Sequence, residues 1–170
     1  AIEEGGYHHY ATYLKRQIQV EAEEKVPEGK MAKLLYDMYQ PDCAKYAVES
    51  DVPQIYELLL ENFDLQADHI PSEDDLLQIV KEKEVMIYKI GDKIECFFIY
   101  RREGKKLYCA FSYNHASADI LYSIERRVKE IEYEENGIKM HYAWFNAENK
   151  KALRRNAWKD TKIRDYIFVK

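Results

Sequence analysis

The stretch from Lys106 to Asn146 limits the fold more than any other. It begins with an apolar run, KLYCAFSYN (106–114). A charged amphipathic segment follows from about Ala118 to Glu135, with Ile120, Ile124, Val128 and Ile131 on one face. Asn136-Gly137 ends it as a left-handed cap would. A second apolar run, MHYAWFN (140–146), comes next. Strand, helix and strand in this order form a crossover, so the two strands lie parallel and the connection is right-handed.

The remaining strands read as a meander. VMIYKI (85–90) and KIECFFIYR (93–101) flank a Gly91-Asp92 turn, and REGKK leads into the run at Lys106. Cys96, Phe98 and Tyr100 point to one side of their strand and Phe97 and Ile99 to the other. With both faces apolar, that strand is central and covered twice. AKYAVES is an earlier strand, and Ser50 or Asp51 caps a helix carrying Ile55, Leu58, Leu59 and Phe63. Ser72 caps another, where Glu73, Asp74 and Asp75 suit the positive end of the helix dipole. AENKKALRRNAW is a short helix and RDYIFVK a closing strand. The fold class is α/β: a mixed, mostly antiparallel sheet with helices on both faces.

The N-terminal part reads differently. Tyr7, Tyr10, Leu14 and Ile18 fall near one face of a helix over residues 7–26, and VPEG breaks it. KMAKLLYDMY groups Met31, Leu34, Leu35 and Met38 on a second, short helix. The expectation is a helical appendage over residues 1–42 beside a domain over 43–170. Its apolar faces dock on this chain or on a second copy, as a homodimer.

Composition narrows function. A net charge of −5 argues against a nucleic-acid partner, which calls for a basic excess. Cys43, Cys96 and Cys109 are odd in number and show no CxxC pairing, so they read as free thiols of a reducing, cytoplasmic compartment. No apolar run approaches the ~18–20 residues that span a bilayer, which argues against a membrane partner. His8-His9 and Asp68-His69 lack a third group at metal-ligand spacing, so no metal is expected. Among the fifteen tyrosines, Tyr108, Tyr113, Tyr122, Tyr133 and Tyr142 fall near the crossover strands. They serve either as packing or as a site for a flat or cationic ligand.

Three stretches together resemble the GNAT superfamily of acyl-coenzyme-A-dependent N-acetyltransferases: YAVESDVPQIYELLLENFD, DHIPSEDDLLQIVKEKEVMIYKIGDKIECFFIYR and YAWFNAENKKALRRNAWKDTKIRDYIFVK. The likeness covers residues 44–170 and rests mainly on element order. It implies that the strands at 106–114 and 140–146 splay into a V that holds the pantetheine arm of acetyl-CoA. Phe111 and Tyr113 would then offer backbone groups to that arm, Ser117 would sit at the pyrophosphate, and Asn149 would contact the cofactor. His115, at the strand end, is the expected general base, since its pKa suits neutral pH. The acceptor would be a small-molecule or peptide amine.

Two departures stand against that pattern. Where the family places a glycine-rich phosphate loop, ASADILYS (116–123) has neither a glycine nor a basic residue. Ser117 there is also a plain helix N-cap. Asn149 and Ala152 match the family's last helix, but Asn156 stands where a tyrosine acid is usual, and an amide cannot serve as an acid at neutral pH. The alternative reading is a catalytically silent module of the same fold that has lost acetyl-CoA binding. A V plugged by Tyr113, Tyr122 or Tyr142 favours that alternative, and an open one favours catalysis.

Overall fold

In the computed structural model, which describes residues 5–155 and 158–170, β5 (Lys106–Asn114) and β6 (Met140–Asn146) run parallel. The connection between them is α4 (Ala118–Asn136). Ile120, Ile124 and Val128 of α4 are buried against the sheet, and Gly137 ends the helix at φ 62°. There a side chain would be strained, which is why glycine closes this helix.

The sheet has seven strands in the order β2 (Lys45–Tyr46), β3 (Val85–Ile90), β4 (Lys93–Glu103), β5, β6, β1 (His8–Gln19) and β7 (Lys159–Val169). Every described pairing except β5–β6 is antiparallel. The expected α/β class, with a mixed and mostly antiparallel sheet, is the class observed. The strand expected at AKYAVES is only two residues long and gives way to a 3₁₀ turn at Glu49–Asp51.

Residues 7–26 correct the sequence reading. They do not form a helix: His8–Gln19 is an inner strand, hydrogen-bonded to β6 on one edge and to β7 on the other. The spacing of Tyr7, Tyr10, Leu14 and Ile18 fits a helix, but Tyr10, Thr12, Tyr13 and Ile18 are also good strand formers. Long-range pairing decides between the two, because it supplies partners along both edges. Only the second N-terminal helix, α1 (Lys30–Asp37), forms as expected, and Met31, Leu34 and Met38 around it remain exposed.

Two cores flank the sheet. On one face, Ile55 and Leu59 of α2 (Val52–Asn62) and Leu76 of α3 (Glu73–Lys81) pack on Phe97, Ile99 and Phe111. On the other, Ile124 and Val128 of α4 pack on Cys96, Phe98 and Tyr100. The alternation expected along β4 is therefore real. Ser72 caps α3 by accepting the Asp75 N–H at 3.1 Å. Among the described residues, no helix is long and apolar enough to cross a membrane.

A buried ionic knot holds α4 to the sheet. Arg102 on β4 donates Nε and a terminal nitrogen to the two Glu132 oxygens, each at 2.7 Å. Tyr100 Oη donates to the same carboxylate at 3.0 Å. Glu132 is fully buried, so its charge depends on these donors.

Candidate functional site

β5 and β6 share three rungs: Lys106 with Met140, Leu107 with His141, and Tyr108 with Tyr142. Beyond Tyr108 and Tyr142 they are no longer paired with each other. The cause lies in their other neighbours. β5 stays on β4 as far as Asn114, which faces Cys96. β6 stays on β1 as far as Asn146, which faces Tyr13. A bulge adds to the divergence: Ile99 faces Phe111 and Tyr100 faces Cys109, so Ala110 is left without a partner on β4. Such a bulge bends its strand and raises the local twist.

The strands thus open into a V that contains a cavity of about 710 Å³. Its wall includes Phe63 and Phe111 from the α2 face, and Phe98, Cys109 and Glu125 from the α4 face. The opening therefore passes through the sheet. Tyr13, Tyr142, Trp144 and Trp158 give it an aromatic side.

At the fork, Tyr108 and Tyr142 stack with ring centroids 5.2 Å apart and planes 16° from parallel. Tyr142 Oη donates to Glu103, and the Lys15 ammonium lies 4.3 Å from the centre of the Tyr142 ring. At the rim, Tyr13 Oη donates to Asp68 and Tyr10 Oη to Asp64, while the Asp64 N–H donates to Asp68 at 2.7 Å. Burial pushes the Tyr13, Tyr108 and Tyr142 phenols up, and the carboxylates beside them add to it. All three keep their protons at neutral pH.

Two further groups face one another behind the fork. Burial pushes the Cys109 thiol well up and holds His141 down at about 3, so both stay neutral. Cys109 Sγ lies 4.0 Å from His141 Nδ1, and His141 Nε2 has no hydrogen-bond partner among the described residues. Glu125 projects from α4 into the same wall. As a residue it is partly exposed, and it lines the cavity. The surrounding protein lifts its carboxyl to about 7; Lys129 pulls the other way and Glu24 adds to the rise.

The residues named from sequence separate into two groups. Phe111 and Asn149 line the cavity, as do Tyr108 and Tyr142 of the tyrosine group. Asn149 Oδ1 also accepts the Ala152 N–H at 3.0 Å, so it caps α5 (Lys150–Arg155) as well. Tyr113, Ser117 and His115 lie outside the wall. Tyr113 stacks on Phe97 with ring centroids 5.4 Å apart. Ser117 holds the N-cap position of α4, but its side chain makes no capping hydrogen bond. His115 is exposed past the end of β5, its Nδ1 2.8 Å from Glu95, a carboxylate that Lys93 also holds. Asn156 lies outside the described residues.

Sequence reasoning missed Glu125, Tyr13 and Asp64, and considered Asp68 only as a metal ligand. The one available signal for Glu125 was its position beside Ile124, on the flank of the α4 apolar stripe. Tyr13 was hidden by the helical reading of its strand.

No family model matches the chain, and no curated protein does. Solved structures do. A GCN5-related N-acetyltransferase from Sphaerobacter thermophilus superposes with a TM-score of 0.63 at 16% identity, over 98% of this chain and 53% of that one. A GCN5-related N-acetyltransferase from Kribbella flavida gives 0.57 at 11% identity, over 98% and 39%. An acetyltransferase of the GNAT family from Colwellia psychrerythraea gives 0.54 at 11%, over 95% and 56%. The chain spans about half the length of these structures. At such identities the likeness is one of fold, and the fold is that of the GNAT acetyltransferases.

Proposed function

We propose, from this fold, that the chain is an acyl-CoA-dependent N-acyltransferase, with acetyl-CoA as donor and an amine as acceptor. The observation that carries the reading is the open V. Tyr113 and Tyr122 lie outside its wall, and Tyr142 stands at the fork, stacked on Tyr108. An unplugged gap is the arrangement that favours catalysis over a silent module.

The residues present suit the acyl-bearing arm of such a cofactor. Past the fork, Cys109–Asn114 and Ala143–Asn146 turn edges toward each other that are not joined by a ladder, and buried backbone groups require partners. The bulge leaves Ala110 without a partner on β4, so one more backbone unit here is free of the ladder. Phe111 and Asn149 complete this wall. Ser117 leaves the first N–H groups of α4 without a side-chain acceptor, which supports a role toward phosphate through backbone alone. The bound cofactor would supply an acyl group activated as a thioester.

Proton handling falls to the chain. We assign the base to Glu125 in preference to His115. Glu125 lies in the cavity wall with a carboxyl poised at about 7, whereas His115 lies outside it, bound to Glu95. A base near the working pH is half in its proton-accepting form and still basic enough to act. Tyr108 Oη keeps its proton and has no hydrogen-bond partner among the described residues. It is the phenol free to donate, the role Asn156 cannot fill.

Titration calorimetry with acetyl-CoA and with CoA tests the reading. Saturable heat at micromolar to millimolar ligand is expected for both. Absence of heat at millimolar concentration removes the reading and leaves the silent module.

A further inference from the structure

The cavity wall carries six carboxylates, Asp64, Asp68, Glu103, Glu125, Glu148 and Asp165, and no lysine or arginine among the described residues. They come from the loop after α2, from β4, α4 and β7, and from the segment before α5. None of them forms an ion pair with a described residue. Other carboxylates of this chain are paired: Glu132 and Glu84 with Arg102, Asp51 with Lys89, Asp160 with Arg164. Asp64, Asp68, Glu103, Glu148 and Asp165, with Glu125 part-ionised near pH 7, outnumber the Lys15 ammonium over Tyr142 and the Lys129 ammonium acting on Glu125. The lining is therefore net negative, and its low-dielectric walls focus that field.

A second observation concerns the aromatic side of the wall. The Lys15 ammonium already lies over Tyr142, 4.3 Å from its centre, and 5.7 Å from the ring of Trp144. The aromatic side of the cavity is thus engaged with an alkylammonium on its β1 flank. The carboxylates complete a setting for further groups of that kind. Glu125, with no hydrogen-bond or ion-pair partner among the described residues, stands inside it.

We infer that the acceptor is a small aliphatic polyamine, carrying at least one ammonium group besides the amine that reacts. This deepens the transferase reading and rests on it for the reaction, though not for binding. An acceptor bearing a carboxylate or phosphate meets the same field with the wrong sign. Size points to a free small molecule rather than a lysine on a folded protein. Cavities of roughly 300–1,000 Å³ enclose single small ligands, and this one must hold the acyl arm as well.

The test is spermidine binding to the full chain without any cofactor, by calorimetry and thermal shift, with glutamate as the anionic control. Spermidine is expected to saturate and to raise the melting temperature, and glutamate to do neither. Asp165→Asn with Glu148→Gln should weaken spermidine about tenfold. Glu57→Gln, an exposed acid on α2 away from the cavity, should leave binding unchanged. Equal loss from Glu57→Gln, or binding of glutamate as tight as that of spermidine, overturns the inference. So does acetyl-CoA binding without any spermidine binding. Spermidine binding without acetyl-CoA binding sinks the transferase reading and leaves the polyamine site standing.

Discussion

Tyr108 on β5 and Tyr142 on β6 stack on the last rung that the two parallel strands share, their ring planes 16° apart. The stack marks where hydrogen bonding between the strands stops and the cavity starts. Tyr142 is tethered by Glu103 and by Lys15 above its ring, while Tyr108 Oη has no described partner. The two phenols therefore differ in role: one fixes the fork and the other is available.

Tyr108→Phe separates these roles. It keeps the ring and the stack and removes only the proton. Turnover should fall about 10²-fold or more, the lower range for loss of a positioned acid. The melting temperature should move little. Tyr142→Ala should instead lower both, since it removes an aromatic pair worth about 0.5–1.5 kcal/mol beyond its buried area. Initial rates of CoA release, read beside thermal melts, check both variants.

Glu125 links stability to pH. Its folded pKa of about 7 stands above the ordinary 4.5, so the folded state holds the proton more tightly than the unfolded chain. The stability this gives is fully present below pH 4.5 and is lost as pH rises toward 7. A shift of that size corresponds to about 3 kcal/mol as an order of magnitude. Glu125→Gln removes the ionisation, so the variant should be more stable than the parent above pH 7 and similar to it near pH 4. Its transfer rate should be low and lack the rise through neutral pH that the parent shows. Urea melts across pH, with pH–rate profiles, read both effects. A variant equally stable at all pH and fully active would exclude Glu125 as the base.

Arg102→Ala should be among the most destabilising single changes at the closed end of the fold. It strips the fully buried Glu132 of two short charged hydrogen bonds. Removing one partner of a buried pair costs about 3–5 kcal/mol. Arg102→Met combined with Glu132→Leu should recover most of that, because the buried Glu132 charge goes with its partner and Glu84 keeps its ion pair with Arg101 at 2.8 Å. Denaturant unfolding of the single and double variants measures the difference. A double variant as weak as the single one would mean that the knot does more than neutralise charge.

The crossover, the alternation along β4 and the glycine stop at Gly137 were legible because each is local: a period, a turn residue or a capping preference within one segment. The site was legible where it coincides with the crossover strands and with the start of α5, at Tyr108, Phe111, Tyr142 and Asn149. His115 drew attention for its chemistry, and chemistry alone does not tell which side of a strand end a ring occupies. Glu125 is one charged residue among many on α4, and a sequence cannot show that the sheet opens opposite it. The strand character of 8–19 depends on β6 and β7, more than a hundred residues away, and four apolar residues at helical spacing outweighed it.

That long-range dependence supplies a last prediction, on residues 43–170 expressed without the N-terminal part. β7 hydrogen-bonds only to β1 among the described strands, and β6 has β1 along the edge that faces away from the V. Without β1, both strands lose ladders that the rest of the chain cannot replace, and β6 has nothing to hold it away from β5. The fragment should therefore be insoluble, or compact without cooperative melting, and it should not bind acetyl-CoA. Adding a peptide of residues 5–20 should restore binding, since a free strand can complete a sheet from outside. A fragment over 43–170 that melts cooperatively and binds acetyl-CoA as the full chain does would show that β1 is dispensable, and that the walls of the V are held apart by β4 and α4 alone.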